Sequence, residues 1–389
     1  MLVADMTFPE SFLAHYGWQG AALAAVMLVL LCTQLYYYLF AYGRIPAYKN
    51  NRRKAVIDAE PPISVIVPMF SEDYTFVENQ LPWLLRQEYA EFEIVIVYVG
   101  CDGDFFEDLL RIRQSFPRVV TTKIEQDNRF PISTKMALNV GIKSSHFDHL
   151  IITSTDARPR SNRWLALMAK GFMRGEIVVG YCGMERKKGF ANRWIRTDRM
   201  MESVQWLARA VAGAPYRGIR HNVGFVKRLY FEAKGFNHLN MNLGEDDLFL
   251  QQIIHDDNVS VVLSPRAATE ESVWGGLGWW TRQQRYFGVT RRFYPAGIRN
   301  FIQWELGSRV LFFAAAATAV AVMPAEYKLA AAALILLRYI AVFVTIWRIA
   351  RRLGERGLCG TYFLHDLLSP FYELFLALLR LRRNDRVWR

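Results

Sequence analysis

The chain has 389 residues, of which 52% are hydrophobic, with 48 Lys and Arg against 36 Asp and Glu for a formal charge of +12. That length holds one substantial domain with additions, and the basic balance points to anionic lipid or phosphorylated substrates, while no zinc finger, RNA-recognition signature or repeated basic helix supports nucleic acid. The four cysteines, Cys32, Cys101, Cys182 and Cys359, lack CxxC spacing, which excludes a disulfide framework and a cysteine zinc site and suits a reducing compartment.

In chain order, "MLVADMTFPESF" contains no Lys or Arg, and residues 21–42 then run uncharged for about the length that ~30 Å of hydrocarbon requires, ending in a tyrosine-rich belt. We expect a transmembrane helix there; a cleaved signal peptide would need a basic segment ahead of it. The basic "GRIPAYKNNRRK" follows. Residues 62–70, 92–99, 118–124, 149–155 and 176–182 are Val- and Ile-rich runs suited to strands buried on both faces. Segments of helical spacing alternate with them, such as "FVENQLPWLLRQEY" and "KMALNVGIKSS". The alternation predicts an α/β domain with a mostly parallel sheet whose ligands collect at the carboxyl ends of the strands.

Asp156 stands at such an end, in "TSTDARPR". One carboxylate there can hold a hard divalent cation together with substrate phosphates, or can simply cap a turn. Lys135 opens a helix upstream and reads either as a solvated lysine or as a phosphate partner. "YRGIRHNVGF" sets Arg220, His221 and Asn222 between glycines, with no second histidine at metal-ligand spacing. "NLGEDDLFLQQIIHDD" then places Glu245, Asp246 and Asp247 ahead of an apolar helical pattern. Helix capping accounts for one or two acids; three in a row repel one another and raise at least one pKa toward general-base values. Residues 274–294 interleave aromatics with Arg282, Arg285, Arg291 and Arg292, as an interfacial helix would, or a wall over a diphosphate and an acceptor. No GxSxG elbow, P-loop or HExxH occurs.

Residues 310–323 and 329–347, separated by "PAEYK", predict a membrane hairpin, with two buried helices of a soluble domain as the other reading. Arg338 lies inside the second run and needs a partner. Basic residues after the first and third spans place the N-terminus and the hairpin tip outside, and the middle and tail in the cytoplasm. The expected parts are a first span in 1–45, a cytoplasmic domain in 46–300, the hairpin in 301–350 and a basic amphipathic cytoplasmic tail in 351–389.

Several segments between about 60 and 295 resemble, in order, the motifs of membrane-bound members of glycosyltransferase family 2, which have the GT-A fold. "ISVIVPMFSED" is similar to the opening strand and acidic loop, with Glu72 as the acid. "PISTKMALNVGI" resembles the lysine helix, and "TSTDARPRSNRWL" the metal-binding Asp-x-Asp segment. "GIRHNVGFVKRLYFEAKGF" and "GEDDLF" resemble the acceptor loop and the catalytic acids, and "WWTRQQRYF" the Gln-x-x-Arg-Trp helix. Tyr98 and Val99 stand where the family usually carries two acids, and Ser154 where it carries the first Asp.

The resemblance implies a Rossmann-like GT-A domain joined to three transmembrane helices, acting as an inverting, metal-dependent nucleotide-sugar glycosyltransferase. Asp246 would be the catalytic base, with Asp247 as the alternative base and Glu245 beside them. Glu72, Lys135, Asp156 and Arg285 would bind the donor, and Asp156 also Mg2+ or Mn2+. Arg220, Asn222 and Gln283 would bind a saccharide or lipid-linked acceptor. Membrane lipids are the remaining partner, nucleic acid is none, and the alternative is a catalytically degenerate membrane scaffold.

Overall fold

Runs too apolar for one-sided burial become the inner strands of the sheet, as a computed structural model of the chain shows; it describes residues 8–50, 55, 57–125, 133–236, 243–255, 257–322 and 325–381. The strands are β1 (Ile63–Phe70), β2 (Phe92–Val99), β3 (Val119–Ile124), β4 (His149–Ile152), β5 (Ala157–Pro159), β6 (Ile177–Gly180), β7 (Cys182–Met184), β8 (Val223–Val226), β9 (Val259–Val262) and β10 (Thr269–Glu271). Seven of them form one sheet in the order β3-β2-β1-β4-β8-β6-β9, and β5, β10 and β7 form a small second one. In the large sheet β8 runs antiparallel to both neighbours, and every other pairing is parallel.

The helices are α1 (Phe8–Leu35), α2 (Arg44–Ala47), α3 (Leu81–Leu85), α4 (Gly103–Ser115), α5 (Thr134–Ser144), α6 (Trp164–Phe172), α7 (Phe190–Val211), α8 (Lys227–Glu232), α9 (Leu248–Ile253), α10 (Leu277–Phe287), α11 (Ala296–Val322), α12 (Ala325–Leu353) and α13 (Cys359–Leu381). A π-helical turn, Tyr36–Tyr42, joins α1 to α2. Successive strand residues point to opposite faces, so Ile66, Val95 and Val97 pack on the side of α5 while Val65, Ile94 and Ile96 pack with Phe105 and Leu109 of α4 and Trp164 of α6. α5 lies close against β1 because Gly141 has no side chain; a Cβ there would come within 2.6 Å of Ile66 Cγ2. The sheet is thus covered on both faces, and its open edge for ligands is the carboxyl end of β1, β2 and β4.

Among the described residues, four helices are long and apolar enough to cross a membrane: Gly20–Ala47, Ala296–Val322, Lys328–Leu353 and Cys359–Arg380. Three were expected; the fourth, α13, lies in the segment expected to be the basic amphipathic tail and occupies Cys359–Leu381 of it. The N-terminal seven residues, Met323 and Pro324 of the hairpin turn, and the last eight residues of the tail lie outside the described residues.

Arg338 has the partner that its position demands. It is fully buried, donates to Asp366 Oδ2 at 2.7 Å and Oδ1 at 3.0 Å on α13, and reaches Gln34 Oε1 on α1 at 2.9 Å. On α11, Arg309 pairs with Glu305 at 2.6 Å and donates to Ser369 of α13 at 2.9 Å, and the hydroxyls of Tyr38 and Tyr362 meet at 2.5 Å. Two arginines and two carboxylates therefore cancel within one network that ties α1, α11, α12 and α13 together, where an unpaired charge would be costly. Arg338→Leu leaves Asp366 with its 3.5 Å pairing to Arg309 and is expected to cost about 3–5 kcal/mol. Thermal unfolding in detergent should show that loss, and the double variant Arg338→Leu/Asp366→Leu should recover most of it.

Candidate active site

The chain leaves β4 at Ile152 and turns back toward β5, which exposes Asp156 at the carboxyl end of the sheet. The turn is pinned by the Thr153 N–H donating to Ile66 O at 3.1 Å and the Ser272 N–H donating to Asp156 O at 2.8 Å. The Asp156 side chain is 27% exposed, and His221 Nε2 stands 3.6 Å from its Oδ1. Burial alone would raise this carboxyl, but the nearby His221 and Arg220 and a hydrogen bond from Ser154 hold it well below the usual carboxylate range. It is an anion aimed at solvent.

The two departures from the family pattern act on the acids that remain. Ser154 Oγ donates to Asp156 Oδ1, so a hydroxyl orients the carboxylate where a second acid would repel it. Tyr98 OH donates to Glu72 at 2.6 Å and accepts from the Asp102 N–H at 3.2 Å. Burial, then the hydrogen bond to Glu72, pushes the Tyr98 hydroxyl up to about 12 and keeps it a donor. Glu72 is thus an exposed, oriented carboxylate at the end of β1.

Residues 220–222 connect this site to the three consecutive acids. The Arg220 N–H approaches Asp246 Oδ2 at 3.4 Å while the next residue, His221, faces Asp156. The dipeptide therefore places Asp156 and Asp246 beside two consecutive residues of one loop. Asn222 is not at the cleft surface: it accepts from Trp164 Nε1 at 3.0 Å and donates to Tyr181 O and Ala267 O at 2.9 Å each, fully buried. Its amide is spent on the scaffold, which corrects its expected place in acceptor binding.

The acids have three separate environments. Asp247 is buried and accepts from Thr290 Oγ1 at 2.5 Å, Tyr294 OH at 2.7 Å and the Leu248 N–H at 2.6 Å, a cap for α9 with no freedom to take a substrate proton. Glu245 is 3% exposed, and burial followed by the Asp246 charge pushes it up to about 7. Asp246 keeps a 16% exposed side chain, with Arg217 Nη2 3.6 Å away. Lys135 is brought to the same acids: burial pushes its ammonium down to about 8 against the pull of Glu245 and Asp247.

Arg285 and Gln283 face elsewhere. They line a cavity of about 1460 Å³ between α7, α10, α11 and α13, whose wall combines Arg282, Arg292 and Arg299 with Leu306, Leu311 and Phe371. An ionic chain runs along this cavity to the cleft: Glu373 of α13 with Arg291 at 3.3 Å, Arg291 with Glu202 at 3.9 Å, Glu202 with Arg217 at 3.0 Å, and Arg217 with Asp246. The motif stretches did not announce this chain; only the arginine density of 217–220 and 282–292 hinted at it.

For a cation, Asp156 offers an ionised, partly exposed oxygen with a hydroxyl and an imidazole beside it, a set that fits a divalent ion sharing its remaining positions with phosphate oxygens. Cys182, His221 and Glu271 also lie within 4.8 Å of one another. That group is a poorer fit. Arg199 occupies Glu271 Oε2 at 2.6 Å, and burial and then Glu271 push the Cys182 thiol up to about 12, away from the thiolate that a metal needs.

The sequence model of glycosyl transferase family 21 matches residues 22–389. Among solved structures, the chain is similar to the mannosyltransferase PcManGT from Pyrobaculum calidifontis in complex with GDP-Man and Mn2+, at 18% identity and a TM-score of 0.53, over 84% of this chain and 97% of that one. Residues 1–349 of TarS from S. aureus, in complex with UDP-GlcNAc, match at 14% identity and a TM-score of 0.40, over 75% and 82%. No curated protein matches.

The folded value of Glu245, about 7, lies above its ordinary 4.5, so the stability that this carboxyl supports is fully present below pH 4.5 and lost as pH rises through 7. Glu245→Gln should therefore be more stable than the wild type at pH 8, by roughly 3 kcal/mol, and melt at a higher temperature. Well below pH 4.5 the two melting curves should coincide.

Proposed function

The chain belongs to glycosyl transferase family 21, rather than to the family 2 whose motifs it resembles, and from this premise we propose that it moves a sugar, with inversion, from a nucleotide-sugar donor held over Asp156 to a hydroxyl of a lipid-linked or envelope saccharide at the cytoplasmic membrane face. The observation that supports this most is the pair of consecutive residues, Arg220 and His221, that reach Asp246 and Asp156 respectively.

In this reading Asp246 takes the proton of the acceptor hydroxyl while that oxygen bonds to the anomeric carbon and the bond from that carbon to the diphosphate breaks. Attack opposite the leaving group inverts the centre. A divalent cation on Asp156, Mg2+ or Mn2+, supplies charge for the departing nucleoside diphosphate. Lys135 adds a buried ammonium, and Glu72, oriented by Tyr98, binds the nucleoside part. Glu245 neighbours the base and tunes its field. Arg285 belongs with Gln283 on the acceptor side: their cavity joins guanidinium groups to apolar side chains of α11 and α13, a lining for a molecule with a polar head and a greasy tail.

The same placement orders the membrane parts. α13 touches the catalytic domain along most of its length: His365 with Asp198 at 2.8 Å, Tyr372 with Thr281 at 3.3 Å, Glu373 with Arg291, and Arg380 with Gln284 O at 3.4 Å. Its other face exposes Leu364, Leu367, Phe371, Leu374 and Leu378. A helix held that way lies in the interface plane, which leaves α1, α11 and α12 as spans and the catalytic domain on the cytoplasmic side with the basic residues.

Transfer from a panel of nucleotide sugars, followed in membranes containing the full chain, tests the reading. Asp246→Asn should lower the rate by about 10²–10⁴-fold while donors still raise the melting temperature of the protein. An Asp246→Asn protein as fast as the wild type removes the assigned base, and a chain that neither transfers from nor is stabilised by any donor is the scaffold.

A further inference from the structure

We propose that His221 is a second protein ligand, beside Asp156, of the cation in the donor site, and that it selects Mn2+ over Mg2+. The proposal rests on the reading that Asp156 holds a divalent ion.

The geometry is that of two ligands waiting on one ion. Adjacent ligand atoms of a six-coordinate ion of this size are about 3 Å apart; His221 Nε2 and Asp156 Oδ1 are 3.6 Å apart and Arg220 Nε donates to that nitrogen at 3.4 Å, so binding an ion needs a small closing movement and displacement of the Arg220 guanidinium. The other ring nitrogen points away from the cleft. Nδ1 lies 3.7 Å from Glu271 Oε2 and has no hydrogen-bond partner, though the residue is 2% exposed. A metal-binding imidazole characteristically directs its second nitrogen at a carboxylate, which fixes the ring and makes the first nitrogen a better donor. Glu271 is in turn fixed by Arg199 at 2.6 Å.

The backbone holds the ring as firmly. His221 O accepts from Thr153 Oγ1 at 3.3 Å, next to β4, and from Thr269 Oγ1 at 3.0 Å, on β10, so the residue is clamped between the two sheets. Such fixing has little purpose for a loop histidine and much for a ligand. With Ser154 beside it, Asp156 is the one carboxylate in the turn that follows β4, and an imidazole next to it changes the ion preferred. A single carboxylate with phosphates suits Mg2+, whereas nitrogen ligands favour first-row transition ions.

The test loads full-length protein in detergent with Mn2+ alone and records electron spin-echo envelope modulation, with 14N-histidine and 15N-histidine preparations compared. Wild type should show one directly bound histidine nitrogen. Asp156→Asn should lose the bound ion. His221→Gln should lose the nitrogen signal, weaken Mn2+ by at least ~10-fold and leave Mg2+ affinity nearly unchanged. Should His221→Gln not fold, the wild-type spectrum and its disappearance in Asp156→Asn still decide. A bound ion that depends on Asp156 but carries no histidine nitrogen, or a nitrogen signal that persists in His221→Gln, overturns the role of His221 and keeps the cation. Absence of any Asp156-dependent ion overturns both.

Discussion

The site hangs on one short piece of backbone, residues 218–222, stretched between two carboxylates that lie ninety residues apart in sequence. Gly218 N–H donates to Asp246 O at 2.9 Å, Arg220 N–H faces the Asp246 carboxylate, His221 faces Asp156, and Asn222 locks the far end into the sheet through Trp164, Tyr181 and Ala267. Because β8 begins at the very next residue, the sheet itself sets how far apart Asp246 and Asp156 can be. In the proposed reaction that distance matters more than either acid alone, since displacement at a sugar carbon needs attacking and leaving oxygens on opposite sides of one atom.

Around that turn, electrostatics divides identical chemistry into different tasks. Glu245, Asp246 and Asp247 are adjacent, yet one is a buried carboxyl displaced upward, one is a partly exposed carboxylate beside Arg217 and one is a helix cap. Position along the chain entering α9 decides which. The arginine ladder from Glu373 through Arg291, Glu202 and Arg217 then continues from Asp246 to α13, so this acid is electrostatically linked to that apolar helix.

Much of the scaffold was legible in the sequence. Four of the five strand runs end within a residue or two of their expected limits, and the fourth, expected to reach residue 155, stops at Ile152 because the backbone must turn to present Asp156. Such strands are readable because burial on both faces demands unbroken Val and Ile. β8 and the small sheet were not readable: "VGFV" and three-residue strands carry no periodicity, and their pairing joins β10 to β5 and β7 across about a hundred residues. Asn222 looked like a ligand for the same reason, since all three of its partners lie more than 40 residues away. Arg338 announced its need for a counter-charge, but Asp366 sits in a stretch that reads as tail. His221 resembled an ordinary loop residue because the carboxylates on either side of its ring, Asp156 and Glu271, come from distant segments.

The widened turn at Tyr36–Tyr42 sets a strict frame for the first span. It lets Tyr37, Tyr38 and Tyr42 point inward, where Tyr37 OH donates to Phe301 O at 2.9 Å and Tyr38 meets Tyr362, while Tyr36 and Phe40 stack on each other facing outward. A wide turn takes up one extra residue while the helix on either side keeps its phase, so the upstream helix still presents Gln34 to Arg338. A length change that this turn does not take up would swing everything upstream by about 100°, and Gln34 would then leave Arg338.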